Sequence, residues 1–230
     1  MSDELTFVHE ALPVEAPLEP VIDARRARWF EVSLVLVIAF GDSFLGSLDI
    51  LRNGHGISPN AQDSRWAIAF VHDLACLFLL SYILSRRRLR FKDLGLRWSF
   101  RDLLTGLLIT VAAYLTYSAG YLLVHSVHKA LFSAPLLAIP LFLLNPFFEE
   151  MIVRAYLMTE VRDLTGSWTL AIAVSVAIQF SYHLYYGWES AIALSFQFLV
   201  FSVYYAKTRK ATPLILAHGI FDIYGLMRLW

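Results

Sequence analysis

Seven runs of mostly apolar residues, near 30–51, 66–85, 103–125, 135–158, 168–186, 190–206 and 213–229, are each long enough to cross a hydrocarbon core. Water cannot supply the partner such surfaces need. The chain is 58% apolar and only 17% charged, against about 45–50% and about 25% in soluble domains, so an apolar solvent must account for the excess. The short intervening loops leave no room for a soluble domain. In lipid every backbone amide must be satisfied within the protein, and long apolar stretches without alternation argue against a barrel. The expected fold class is therefore an all-α, polytopic transmembrane helix bundle of about seven spans, with the lipid bilayer as its first partner.

Charge sets the expected orientation. Arg25, Arg26 and Arg28 precede the first run; Arg86, Arg87, Arg88, Arg90, Lys92, Arg97 and Arg101 lie between the second and third; Lys207, Arg209 and Lys210 lie between the sixth and seventh. All three clusters fall on one side of a seven-span chain, which predicts a cytosolic N-terminus and an external C-terminus. The segment from Arg86 to Arg101 interleaves its charges with Leu89, Phe91, Leu94, Leu96 and Trp98. It suits either a helix lying in the inner headgroup layer or a plain positive-inside loop. Residues 1–24 hold six acidic residues, three prolines and no Lys or Arg, and read as a disordered tail ahead of a transmembrane domain over 25–230. With nineteen basic and nineteen acidic residues the formal net charge is zero, so no electrostatic motive for nucleic-acid binding exists. The single cysteine, Cys76, excludes an intrachain disulfide and a cysteine-rich zinc site.

An ionisable group inside a span costs roughly 2.5 kcal/mol or more, so those that persist face the bundle interior and find partners. The fourth run reads N-P-F-F-E-E-M-I-V-R-A-Y-L and carries Glu149, Glu150 and Arg154. Glu150 precedes Arg154 by four, which suits an ion pair on one face, whereas Glu149 lies about 100° round the helix. That leaves Glu149 as the unpaired carboxylate. His183 ends the fifth run, and His218 opens the seventh with Asp222 four residues on. If tertiary packing brings them together, Glu149 can deprotonate a water positioned by His183, and His218 can stabilise the oxyanion formed when that water attacks a carbonyl. A zinc site with Glu149, His183 and His218 as its three ligands is the alternative. No H-E-x-x-H helix and no G-x-S-x-G elbow is present. Asp42, Asp49, His72 and Asp73 are assigned to interhelical hydrogen bonds, and Trp168, Tyr182, Tyr185, Tyr186, Trp188 and Trp230 to aromatic belts.

These residues, within 145–225, resemble the CPBP family of intramembrane endopeptidases, which includes type II CAAX prenyl proteases and bacterial Abi or bacteriocin-processing proteins. The family pattern is E-E-x-x-x-R, then F-x-x-x-H, then H-x-x-x-N or H-x-x-x-D on successive helices. Glu149, Glu150 and Arg154 match the first motif, His183 the histidine of the second, and His218 with Asp222 the third, the likeness covering roughly residues 90–230. The resemblance implies hydrolysis of a peptide or membrane-protein substrate in a prokaryotic plasma membrane by a glutamate-activated water. In it, Glu149 is the base, His183 positions the water, and His218 with Asp222 forms the oxyanion side. Two residues depart from the commonest pattern: Gln179 stands where the aromatic before His183 belongs, and Asp222 takes the place of Asn. A catalytically idle scaffold or immunity-type factor, and a small proton-coupled transporter, are the competing functions. One further expectation is geometric: straight helices put His183, Glu149 and His218 at different depths. They converge on a cavity open to the cytosol only if the fifth span tilts or starts outside the inner interface, with Pro146 breaking or offsetting the fourth helix.

Overall fold

The computed structural model describes residues 21–53, 63–124 and 139–227, so His9, Lys129, Arg228, Trp230 and nearly all of the expected N-terminal tail lie outside the described residues. Helices dominate and no strand occurs among the described residues. They run as α1 (Val21–Asn53), α2 (Asp63–Arg86), α3 (Phe100–Leu123) and α4 (Ile139–Glu149). The last continues without a break through a π-helical stretch, Glu150–Leu157, into α5 (Met158–Thr165). Then follow α6 (Trp168–His183), α7 (Trp188–Thr208) and α8 (Thr212–Met227). With α4, the π stretch and α5 counted as one rod, these are the seven expected helices in order. The first begins at Val21, inside the segment assigned to the tail.

Among the described residues, four helices are long and apolar enough to cross a membrane: Ala24–Asp49, Trp66–Arg86, Phe100–Leu123 and Trp188–Thr208. The other three rods differ for identifiable reasons. At 16 residues each, α6 and α8 span about 24 Å, short of a hydrocarbon core about 30 Å thick. The rod 139–165 carries Glu149, Glu150, Arg154, Glu160, Arg162 and Asp163. These three rods hold every candidate catalytic residue.

Close packing at small residues ties the rods together, as expected where lipid offers no hydrophobic drive between helices. A Cβ on Gly120 would lie 2.7 Å from the Ala193 Cα, so α3 meets α7 nearly backbone to backbone. The hairpin between the rod 139–165 and α6 turns at Gly166, in the left-handed conformation, and α6 starts at Ser167, whose hydroxyl accepts from the Leu170 amide.

All three basic clusters gather at one end. Arg28 and Arg87 both pair with the buried Glu160, Arg87 also with Glu31, and Arg25 donates to the Leu164 carbonyl. Arg162 and Arg209 stack over Trp168. The Arg86–Arg101 segment is not a helix lying in the headgroups. Between the end of α2 at Arg86 and the start of α3 at Phe100 it makes a turn at Arg87–Arg88 and a 3-10 turn, Phe91–Leu94, joined by irregular strap. Gly95 lies so close to the α7–α8 connection that a Cβ would fall 2.1 Å from the Arg209 carbonyl oxygen. Its carbonyl accepts from Ala211, and Arg97 exchanges two hydrogen bonds with the Thr212 hydroxyl.

Candidate functional site

Pro146 does not break its helix. It sits inside α4, where it withdraws one backbone donor, and four residues later the ladder widens to the π form at Glu150. Short π segments in α-helices recur at functional sites. Glu149 is the last α-helical residue, and all eight residues of the π stretch are buried.

How the depths converge follows from the strap. The Tyr205 hydroxyl lies within hydrogen-bonding distance of both the Leu94 and Ala155 carbonyls, so the basic loop is level with Ala155 and not with the end of the rod. Glu150, five residues further in, is about 7 Å deep; His218, six beyond Thr212, is about 9 Å. The rod continues ten residues outward from Ala155 to Thr165, about 15 Å, so α6 starts that much further out. His183, fifteen residues or about 22 Å along α6, thereby ends about 7 Å deep. The outward start expected of the fifth span is supplied by the polar helix α5.

At that level Glu149 lies within electrostatic reach of both His183 and His218. Its Oε2 accepts from the Tyr182 hydroxyl at 2.8 Å, with the Gln179 amide nitrogen at 3.5 Å from Oε2 and 3.2 Å from that hydroxyl. No cation stands within ion-pair distance of Glu149 among the described residues. His183 Nδ1 meets the Gln179 carbonyl at 2.9 Å. A carbonyl only accepts, so Nδ1 carries the hydrogen and Nε2 presents its lone pair in the neutral ring. Phe198 from α7, 4.8 Å centroid to centroid, and Tyr182, at 4.5 Å, pack the ring.

Glu150 is shared. Its Oε2 lies 3.5 Å from Arg154 Nε, and its Oε1 accepts from His218 Nδ1 at 2.8 Å. Arg154 is fully buried between Phe198 and Phe201, whose ring centroids lie 5.4 and 5.7 Å from its guanidinium carbon. His218 Nε2 stands 3.6 Å from Asp222, too long for a hydrogen bond, and Asn145 donates to Asp222 at 3.3 Å. The carboxylate hydrogen-bonded to His218 is thus Glu150, with Asp222 beyond hydrogen-bonding distance.

Tyr182 is not among the candidate residues that the motifs single out, yet it contacts Glu149 directly. Taken for an aromatic-belt side chain, it is buried, its ring stacked on Phe40 at 4.4 Å and its hydroxyl on Glu149. Its place one residue before His183 in the motif was the available signal. Asp73, on α2, is also buried, bonded to His72 at 3.3 Å and within electrostatic reach of Glu149, while His72 Nε2 reaches the Ile38 carbonyl of α1 at 2.9 Å. Asp42 lies exposed on α1.

Among the described residues no three His, Cys, Asp or Glu side chains stand together as a metal-ligating group. Both candidate histidines have Nδ1 engaged, one on a backbone carbonyl and the other on Glu150.

Residues 131–224 match the family model described as Rce1-like, type II CAAX prenyl endopeptidase Rce1-like. That stretch contains all three motifs and bears out the resemblance they carry. No curated protein and no solved structure matches the chain.

Proposed function

From a membrane chain whose residues 131–224 form an Rce1-like domain of the type II CAAX prenyl endopeptidase family, we propose an intramembrane endopeptidase that hydrolyses a peptide bond with a glutamate-activated water. The observation that carries this reading is the contrast between adjacent carboxylates: Glu150 is paired with Arg154 and His218, whereas Glu149 has no cation within ion-pair distance among the described residues and accepts a hydrogen bond from Tyr182.

The water sits between Glu149 and His183 Nε2, one hydrogen toward each. Glu149 takes its proton as oxygen attacks the scissile carbonyl carbon. The carbonyl oxygen becomes an oxyanion that accepts from His218 Nε2–H. Bonding of Nδ1–H to the Glu150 carboxylate favours the doubly protonated ring, and Arg154 balances that carboxylate. As the intermediate collapses, the C–N bond breaks and Glu149 returns its proton to the leaving nitrogen, restoring the carboxylate. The substrate is a peptide or membrane protein presented at the basic end of the bundle, which the distribution of Lys and Arg assigns to the cytosol.

Purified protein incubated with a quenched fluorescent peptide library is the test. Cleavage is expected; its absence from folded protein would favour the scaffold or transporter readings. Strong chelators are expected to leave the rate unchanged, with well under one equivalent of zinc by elemental analysis. Stoichiometric zinc lost together with activity would instead make Glu149, His183 and His218 ligands.

Tyr182→Phe probes the hydrogen bond on the base. The ring and its stacking on Phe40 remain, but the carboxylate loses a donor of a kind that contributes about 1.5–3 kcal/mol. The expected result is a kcat roughly 10- to 100-fold lower, with KM and melting temperature little changed. A fall in melting temperature that accounts for the lost activity would make Tyr182 a packing residue only.

A further inference from the structure

The strap between α2 and α3 has two unlike sides. Its inner side is spent on the bundle: Leu94 is buried, its carbonyl accepts from Tyr205, Gly95 and Arg97 bond the α7–α8 connection, and Arg87 is clamped by Glu160 and Glu31. The outer side exposes Arg86, Arg88, Arg90, Lys92, Arg97 and Arg101. Except for Arg97, whose Nε reaches the Lys92 carbonyl, none of these six cations has a side-chain hydrogen-bond partner among the described residues, and none has a carboxylate of those residues within ion-pair distance. The one acid among them, Asp93, accepts from the Arg90 backbone amide.

Like charges grouped on one short segment repel one another, and an anion bound among them relieves that repulsion. Large apolar side chains share this surface. Trp98 and Phe100 are 72% and 75% exposed, and the surface continues directly onto the exposed Leu104 and Leu108 of α3, a membrane-spanning helix. Its occupant must carry negative charge at one end and hydrocarbon at the other.

We propose that the strap is a binding surface for anionic phospholipid in the leaflet at the basic end. The headgroup phosphate lies among Arg88, Arg90 and Lys92, and the acyl chains pass Trp98 and Phe100 onto α3. The protein contributes preformed geometry: the 3-10 turn and the bonds to residues 209–212 hold the cations in place before lipid arrives, so little ordering cost remains. The same bonds link the surface to the π stretch through Tyr205 and Ala155. Lipid binding therefore stabilises the end of the bundle from which the site is built.

The test needs no peptidase activity, so it stands or falls apart from the proposed reaction. Purified full-length protein is reconstituted in nanodiscs of phosphatidylcholine with or without phosphatidylglycerol, and melting temperature and co-purifying lipid are measured. Wild type is expected to melt higher with phosphatidylglycerol and to enrich it. Each basic residue near a membrane surface changes affinity roughly fivefold, so the triple variant Arg88→Gln, Arg90→Gln, Lys92→Gln is expected to lose about 100-fold and both responses. The variant Trp98→Ser, Phe100→Ser keeps the charges and is expected to reduce enrichment while folding normally. Equal melting of wild type in both discs, or a shift reproduced in full by inorganic phosphate or glycerol 3-phosphate, would overturn the proposal.

Discussion

Glu149→Gln is expected to lower kcat by roughly 10²- to 10⁴-fold, the contribution typical of a positioned general base, while melting temperature stays near that of wild type. The amide is isosteric and still offers an oxygen to the Tyr182 hydroxyl, so the contacts that hold the side chain survive. What disappears is the ability to take a proton from water. Because Glu149 has no cation within ion-pair distance among the described residues, neutralising it breaks no ion pair, which separates this change from the one next door. Rate and thermal unfolding measured on the same preparation check the prediction. Substantial activity in a folded Glu149→Gln protein would remove Glu149 from the chemistry.

Glu150→Gln is expected to fail in both respects. Arg154 is fully buried and, among the described residues, Glu150 is the only carboxylate in ion-pair distance, so removing that charge leaves an uncompensated cation in the core, at a cost of about 3–5 kcal/mol. His218 loses its carboxylate in the same step, and activity should fall beyond what unfolding explains. The double variant Glu150→Gln, Arg154→Met separates the two effects. Replacing a buried pair by neutral groups of similar volume is often close to neutral for stability, so melting temperature should recover substantially, whereas activity should not, because His218 still lacks its partner. Recovery of activity together with stability would confine Glu150 to a structural role.

The helical bundle was legible because hydrocarbon thickness acts on contiguous composition: a run of apolar residues either spans the core or does not. The motif residues were legible for a related reason. Charge inside such a run is expensive, so Glu149, Glu150, Arg154, His183, His218 and Asp222 stood out against their surroundings. Tyr182 did not, because an aromatic residue near a helix end has the same local signature whether it faces headgroups or a buried carboxylate such as Glu149. Depth was misleading for a physical reason as well. Counting from the end of the apolar run takes the interface as the start of the helix, but α5 runs outward past the level marked by Tyr205 and Leu94, and only that contact shows where the count begins.

What the sequence by itself determined is the class of solvent, the order of the helices, the shared side of the basic clusters and which polar residues lie inside apolar runs. Each is a property of one residue or one contiguous stretch. What only the tertiary structure decided is who meets whom. Glu150 is 68 positions from the histidine it orients, His183 is packed by Phe198 from the next helix, and the strap is tied to the α7–α8 connection by Gly95 and Thr212. Spacing along one helix fixes only which groups share a face. Which partner fills that face depends on how several rods pack at once, and the site at Glu149 exists only in that packing.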